Sequence, residues 1–208
     1  MSTRLRSGKI RHLNILEMKK NIFGILLVVV VLFLGIKYCS GQTSADKLKE
    51  GDLIFHTSNS EQSPLIQYAT GSVLSHCGII IGKSDGLYVL EATGKLKLTP
   101  LQEFINRGKG KQWWAKWVID KPIKVKYRHL LGRRYDTSFK PDNNLFYCSE
   151  LLHHIYKTQF GIELCKYRKV SDYHLTGLKK TLKKRGINLN QEVVAPIDIY
   201  DSDKAKNI

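Results

Sequence analysis

Acidic residues are scarce in this chain. Its 208 residues hold 18 Asp and Glu against 34 Lys and Arg, a formal net charge of +16. An excess of that size favours anionic surroundings: phospholipid head groups, acidic wall polymers or nucleic acid. Nucleic acid is not expected, because zinc-finger spacing, RNA-binding aromatic signatures and basic-zipper heptads are all missing. Cysteine is also sparse, with four residues at Cys39, Cys77, Cys148 and Cys165. That number excludes a dense disulfide framework, and no spacing among them resembles a metal site. Neither a metal nor a cofactor is expected. There are no internal repeats and no low-complexity tract. What is present is ordinary: 42% hydrophobic and 25% charged residues, in a length that suits one domain with a proper core.

The one uninterrupted apolar run is "IFGILLVVVVLFLGI", residues 22–36. Arg4, Arg6, Lys9, Arg11, Lys19 and Lys20 precede it against Glu17 alone, and polar "KYCSGQTS" follows. A basic flank, an apolar stretch and then small polar residues form the pattern of an export signal. The run is short for a bilayer span, which needs roughly 20 residues. Met18 offers a second start for the same signal. Cys39 stands where a lipoprotein cysteine would, although Lys37 and Tyr38 are poor residues ahead of a lipidation site. The expected organisation is a basic segment with signal peptide or membrane anchor over 1–41 and a linker over 42–50. A domain over 51–200 and a tail over 201–208 complete it. The domain is expected to be exported, periplasmic or at the cell surface, beside an anionic membrane or wall.

Within the domain, "GDLIFHT" (51–57) reads as a strand after a Gly-Asp turn, and Pro64 to Thr70 as a short helix stopped by Gly71. "SHCGIIIG" (75–82) and "LYVLEAT" (87–93) read as a hairpin about "KSDG". Thr99 to Gln102 offers a capping box for a helix that Gly108 ends. "WWAKWVI" (113–119) resumes strand character, and 122–132 fits helix or strand equally. Leu151, Leu152, Ile155, Tyr156 and Phe160 share one face of a helix over 149–160, with Gly161 as its cap. A basic helix over 172–186 and a last strand over 192–200 close the chain. The fold class is α+β, an antiparallel sheet with helices packed on one side.

Three residues are candidates for chemistry. Antiparallel pairing about the turn sets position 76 near 93, so Glu91 reaches the face of His76 diagonally. A carboxylate on one imidazole nitrogen fixes the tautomer and leaves the other free to take a proton. Cys148 directly precedes the 149–160 helix, where unpaired N–H groups and the dipole favour thiolate. The same N–H groups can hold an oxyanion. Each residue has a plainer reading alone: Cys148 as core, His76 as a satisfied strand-end residue, Glu91 as a solvated edge. Cys77 and Cys165 read as core thiols, His153 and His154 as helix-face residues. Trp113, Trp114 and Trp117 read as core and sheet cover.

Taken together the motifs resemble a known arrangement. "LGRRYDTSFKPDNNLFYCSELLHHIY", "GDLIFH" and "SHCGIIIGKSDGLYVLEA" are similar to landmarks of NlpC-type papain-like cysteine peptidases. In their usual members the cysteine comes first. Here His76 and Glu91 precede Cys148, an order similar to the circularly permuted, YiiX-like branch. "ATGSVLSHCGIII", "YVLEATG", "TPLQEFI" and "FYCSELL" look like that branch too. The resemblance spans about residues 51–165 and implies a permuted papain-like fold, with Cys148 as nucleophile, His76 as base and Glu91 as orienting residue. Tyr135 matches a tyrosine near the nucleophile, implying a part in substrate binding, although Arg134 stands where proline is usual. Asp52 matches a structural aspartate. The implied activity is a cysteine peptidase or amidase acting on cell-wall peptide or a lipid-linked amide or ester. Lecithin:retinol acyltransferase-like enzymes also place His before Cys, so a lipid acyltransferase or thioesterase is the alternative. Their Asn-Cys-Glu-His signature is absent, because Tyr147-Cys148-Ser149-Glu150 stands here. A non-catalytic binding module on the same fold is the third reading.

Overall fold

The apolar runs of the two first strands are continuous where a half-exposed strand would alternate, which calls for cover on both faces. In the computed structural model, which describes residues 44–141 and 143–208, both are buried on both faces. Strands β1 (Leu53–Ser58) and β2 (His76–Lys83) sit inside a six-stranded antiparallel sheet. The others are β3 (Gly86–Thr93), β4 (Lys95–Pro100) and β5 (Gly108–Trp117), with β6 (Arg168–Lys169) and β7 (Glu192–Val193) forming a separate pair. With β8 (Lys206–Asn207) the main sheet has the order β4-β3-β2-β1-β5-β8.

Helices α1 (Ser63–Thr70), α2 (Leu101–Arg107), α3 (Cys148–Phe160), α4 (Lys179–Lys184) and α5 (Pro196–Tyr200) accompany it. Leu53, Phe55, Ile79, Ile81 and Leu90 turn to one face, against Leu151, Leu152, Ile155 and Tyr156 of α3. Ile54, Ile80, Val89 and Ala115 turn to the other, where Phe104 and Ile105 of short α2 close a smaller cluster. The expected hairpin register holds. Lys83 pairs with Gly86 and Ile79 with Leu90, and continuing that ladder sets His76 opposite Thr93. Gly78 lets the two strands approach, since a Cβ there would lie 2.3 Å from Val89 Cγ1 and 2.9 Å from the Leu90 carbonyl.

Several expectations are corrected. Residues 95–100 form β4, a strand the punctuation at Thr99-Pro100 concealed. Thr99 therefore caps nothing, and α2 has no side-chain cap. The segment 122–132 is neither helix nor strand beyond a 3-10 turn at Arg128–Leu130. Of the basic helix expected over 172–186, only Lys179–Lys184 is helical. The last strand over 192–200 shortens to Glu192–Val193 and gives way to α5. Pro196 cannot extend a ladder, and the Asp198 carboxylate accepts from the Ala195 N–H (2.7 Å) to open a helix instead. The expected tail supplies β8, held by Lys116 Nζ to Asn207 Oδ1 (2.8 Å). The expected linker contributes Leu48 to the smaller cluster. Among the described residues no helix is long and apolar enough to cross a membrane. The expected export segment and Cys39 lie outside the described residues.

Candidate active site

α3 begins at Cys148 itself, so the sulfur stands on the first helical residue. Its two neighbours fix that start. The Ser149 hydroxyl donates to the Val194 carbonyl (2.7 Å), and the Val194 N–H donates to the Tyr147 hydroxyl oxygen (3.0 Å). The helix entrance is thus pinned on both sides of the thiol. First-turn amides lack intrahelical acceptors, the property that an oxyanion site uses.

His76 opens β2, and its Nε2 lies 2.6 Å from Glu91 Oε2. Glu91 is fully buried. An ionised carboxylate there is costly unless well partnered, and three groups partner it. His76 takes one oxygen. The Thr99 hydroxyl donates to the other at 2.5 Å, joined by the Arg107 guanidinium. Burial pushes the Glu91 carboxyl up, but the bonds from His76 and Thr99 and the nearby cations outweigh it and bring it to about 2. Glu91 is therefore a fixed anion.

Cys148 and His76 line the same cleft, close enough that each shifts the other's titration. With Nε2 on Glu91, Nδ1 is the nitrogen left for the thiol. Burial disfavours the imidazolium, yet bonds to Cys148 and Glu91 raise His76 to about 9. The Cys148 thiol is driven well below its ordinary value, first by a hydrogen bond from the Cys77 thiol and then, against burial, by His76 and the Cys77 backbone N–H. Both directions favour a thiolate–imidazolium pair, the activated form of a cysteine nucleophile.

His56 stacks on Phe104 at 4.2 Å and lies 5.3 Å from His76. Burial and the His76 charge lower it to about 3, so it stays neutral beside the imidazolium. It fits only because Gly108 is opposite: the β1–β5 register slips between His56 and Ser58, and a Cβ on Gly108 would lie 2.9 Å from His56 Nδ1.

Two clefts meet at Cys148. One, of about 140 Å³, is lined by Leu65, Ile66, Phe139, Leu178 and Leu182. The other, of about 770 Å³, presents Ser58, Asn59, Thr93, Arg107 and Arg134. Gln62, Ile66 and Tyr135 border both with the cysteine. Tyr135 therefore stands where the resemblance placed it. Burial and the neighbouring Cys148 charge hold its hydroxyl well above the usual phenol range. Arg134 does not disturb that position, since it bridges to Lys95 at the sheet edge.

Cys148, His76 and Glu91 are thus brought together. Thr99, Arg107 and Cys77 were not foreseen as parts of the site. Thr99 and Arg107 converge on Glu91, and Cys77 on Cys148, only through the fold. Asp52 is structural, accepting the Lys49 N–H at 2.7 Å. Among the described residues no group of three or more His, Cys, Asp and Glu side chains is placed to hold a metal ion.

Glu91→Gln keeps an acceptor for His76 but removes the charge. It is expected to lower kcat/KM by roughly 10- to 100-fold, less than the about 10²–10⁴-fold that a proton-transferring group itself contributes, because Glu91 only orients and charges His76. Steady-state kinetics on any turned-over acyl substrate checks this. An unchanged rate contradicts an electrostatic part for Glu91.

Residues 47–208 match the family described as permuted papain-like amidase enzyme, YaeF/YiiX, C92 family. An uncharacterized protein, YiiX of Escherichia coli strain K12, is 30% identical over 170 residues, covering 76% of this chain and 84% of its own. A crystal structure described as that of the metalloprotein YiiX from Escherichia coli O157:H7 superposes with a TM-score of 0.70 at 30% identity. It covers 77% of this chain and 96% of the other. With the family matched over most of its length and the cysteine behind the histidine in sequence, this chain belongs to the permuted papain-like amidases of the YaeF/YiiX family.

Proposed function

We propose that the chain is an exported cysteine hydrolase that cleaves an amide or ester whose acyl part is apolar. The Cys148 thiolate attacks the carbonyl carbon, and the resulting oxyanion turns toward the first amides of α3. The His76 imidazolium gives its proton to the leaving amine or alcohol as the carbonyl bond to that group breaks, leaving a thioester. Neutral His76 then takes a proton from water, whose oxygen attacks the thioester carbon. The acid departs, and the thiolate and imidazolium are restored.

One observation carries the choice of substrate: Cys148 lies at the meeting of an apolar and a polar cleft. The apolar one is comparable to an engineered cavity of about 150 Å³ that takes benzene, so it has room for the chain carbons nearest the reacting carbonyl. A wall peptide offers polar groups that this lining cannot pair. A lipid-linked amide or ester fits both sides, with its polar half toward Arg107 and Arg134. What supports export is the basic-then-apolar stretch over 1–41, and Cys39 is its candidate lipidation residue.

The same cleft favours acyl transfer as a second reading, because it screens a thioester from water. Purified protein incubated with phospholipid and N-acyl amides, and separately with wall peptides, is read by mass spectrometry. Released fatty acid is the expected result. Acyl groups moved intact to an added amine favour the transferase, and cleaved wall peptide with untouched lipid overturns the apolar-acyl assignment.

A further inference from the structure

We propose that residues 171–189, centred on α4, are a docking surface for an anionic lipid bilayer and present the mouth of the apolar cleft to it. No acidic residue occurs between Asp172 and Glu192, whereas Lys179, Lys180, Lys183, Lys184 and Arg185 do. All five of these cationic side chains are exposed. Leu178, Thr181, Leu182 and Arg185 recur at helical spacing and line the cleft, so the lysines occupy the outer face.

No residue of α4 is buried. A helix this short gains little from its own hydrogen bonds and depends on packing for its stability. Here the packing surface is incomplete. The segment is attached to α1 through His174, whose N–H donates to the Ala69 carbonyl (2.8 Å) and whose Nε2 pairs with the Tyr68 hydroxyl (2.9 Å). Tyr68 is 46% exposed, and an amphipathic ring of this kind favours the head-group level of a bilayer.

Beside α4 lies a hollow of about 710 Å³ lined by Ser171, Thr176, Gly177, Lys179 and Lys180. It offers two ammonium groups and the Thr176 hydroxyl, with the Ser171 hydroxyl donating to the Asp172 carboxylate at its edge (3.5 Å), a donor set that suits a lipid phosphate. Acidic wall polymer or nucleic acid would satisfy the cations but leave the half-exposed leucines in water. An anionic bilayer satisfies both.

The purpose of this docking rests on the acyl reading of the cleft, but the docking itself can be measured apart from it. The full chain is mixed with vesicles of phosphatidylcholine alone or with added phosphatidylglycerol, and amide hydrogen exchange is followed over 175–187. Exchange is expected to slow by about tenfold or more on the anionic vesicles only, and high salt should reverse it. Replacing Lys179, Lys180, Lys183 and Lys184 together with Gln should abolish the protection, a loss on the order of 10²–10³-fold in local binding. Cys148 alkylation in that variant should stay at the wild-type rate, showing an intact fold. Equal protection on both vesicle types, or none on either, overturns the proposal. So does equal protection by a soluble polyanion. Protection with no acyl turnover would retain the docking surface and sink the substrate assignment instead.

Discussion

Replacing Cys148 with alanine is expected to lower turnover by on the order of 10⁴-fold or more, as removal of an attacking group does elsewhere. Serine should be nearly as poor. Its hydroxyl fits the space, but the contacts that stabilise a thiolate cannot ionise an alcohol at neutral pH. The two variants also test the electrostatics. His76 titrates at about 9 because it bonds to the Cys148 sulfur and to Glu91, against a burial cost that favours the neutral ring. Without the sulfur that balance shifts toward burial, so the ring pKa should fall in both variants. NMR titration of the His76 ring reads this directly. A ring still titrating near 9 in Cys148→Ala would falsify the thiolate–imidazolium pair, whatever the activity.

The sequence was most legible where a local period and a turn agreed. The β2–β3 register followed from a four-residue turn and alternating side chains, and that register carried His76 and Glu91 onto one face. The start of α3 followed from Leu151, Leu152, Ile155 and Tyr156 recurring at helical spacing, which left Cys148 at the entrance. The remainder depends on contacts between distant segments. Thr99 looked like a helix cap because Pro100 follows it, and only the pairing of Glu91 with Lys97 reveals that it belongs to a strand beside the carboxylate. Arg107 carried no signal in the sequence, because only the sheet brings α2 over Glu91. Ile197 and Ile199 alternate as in a strand, but one proline and the Asp198 cap reverse that reading. The Cys77 thiol could not be placed from its neighbours alone, since alternation along β2 directs it away from His76. It reaches Cys148 because α3 packs on that opposite face.

That two-sided arrangement sets the expectation for His76→Ala. Turnover should drop by on the order of 10³–10⁴-fold, the upper range for a residue that both takes and returns the reacting proton. The thiol should respond in a distinguishable way. In the wild type, the interactions with Cys77 and His76 favour the thiolate against burial, so alkylation should proceed at a near-constant rate down to pH well below the ordinary thiol pKa of about 8.5. Without His76 the Cys77 contacts remain but the counter-charge is gone. Burial then counts for more, the thiol pKa rises, and labelling at neutral pH slows while climbing steadily toward alkaline pH. Cys77→Ala should move the curve the same way but less, because it leaves the imidazolium in place. Chloroacetamide labelling followed across pH 5 to 10 separates the cases. If His76→Ala leaves the profile flat and fast, the sulfur owes its activation to the helix start and Cys77, and His76 serves only the later proton transfers.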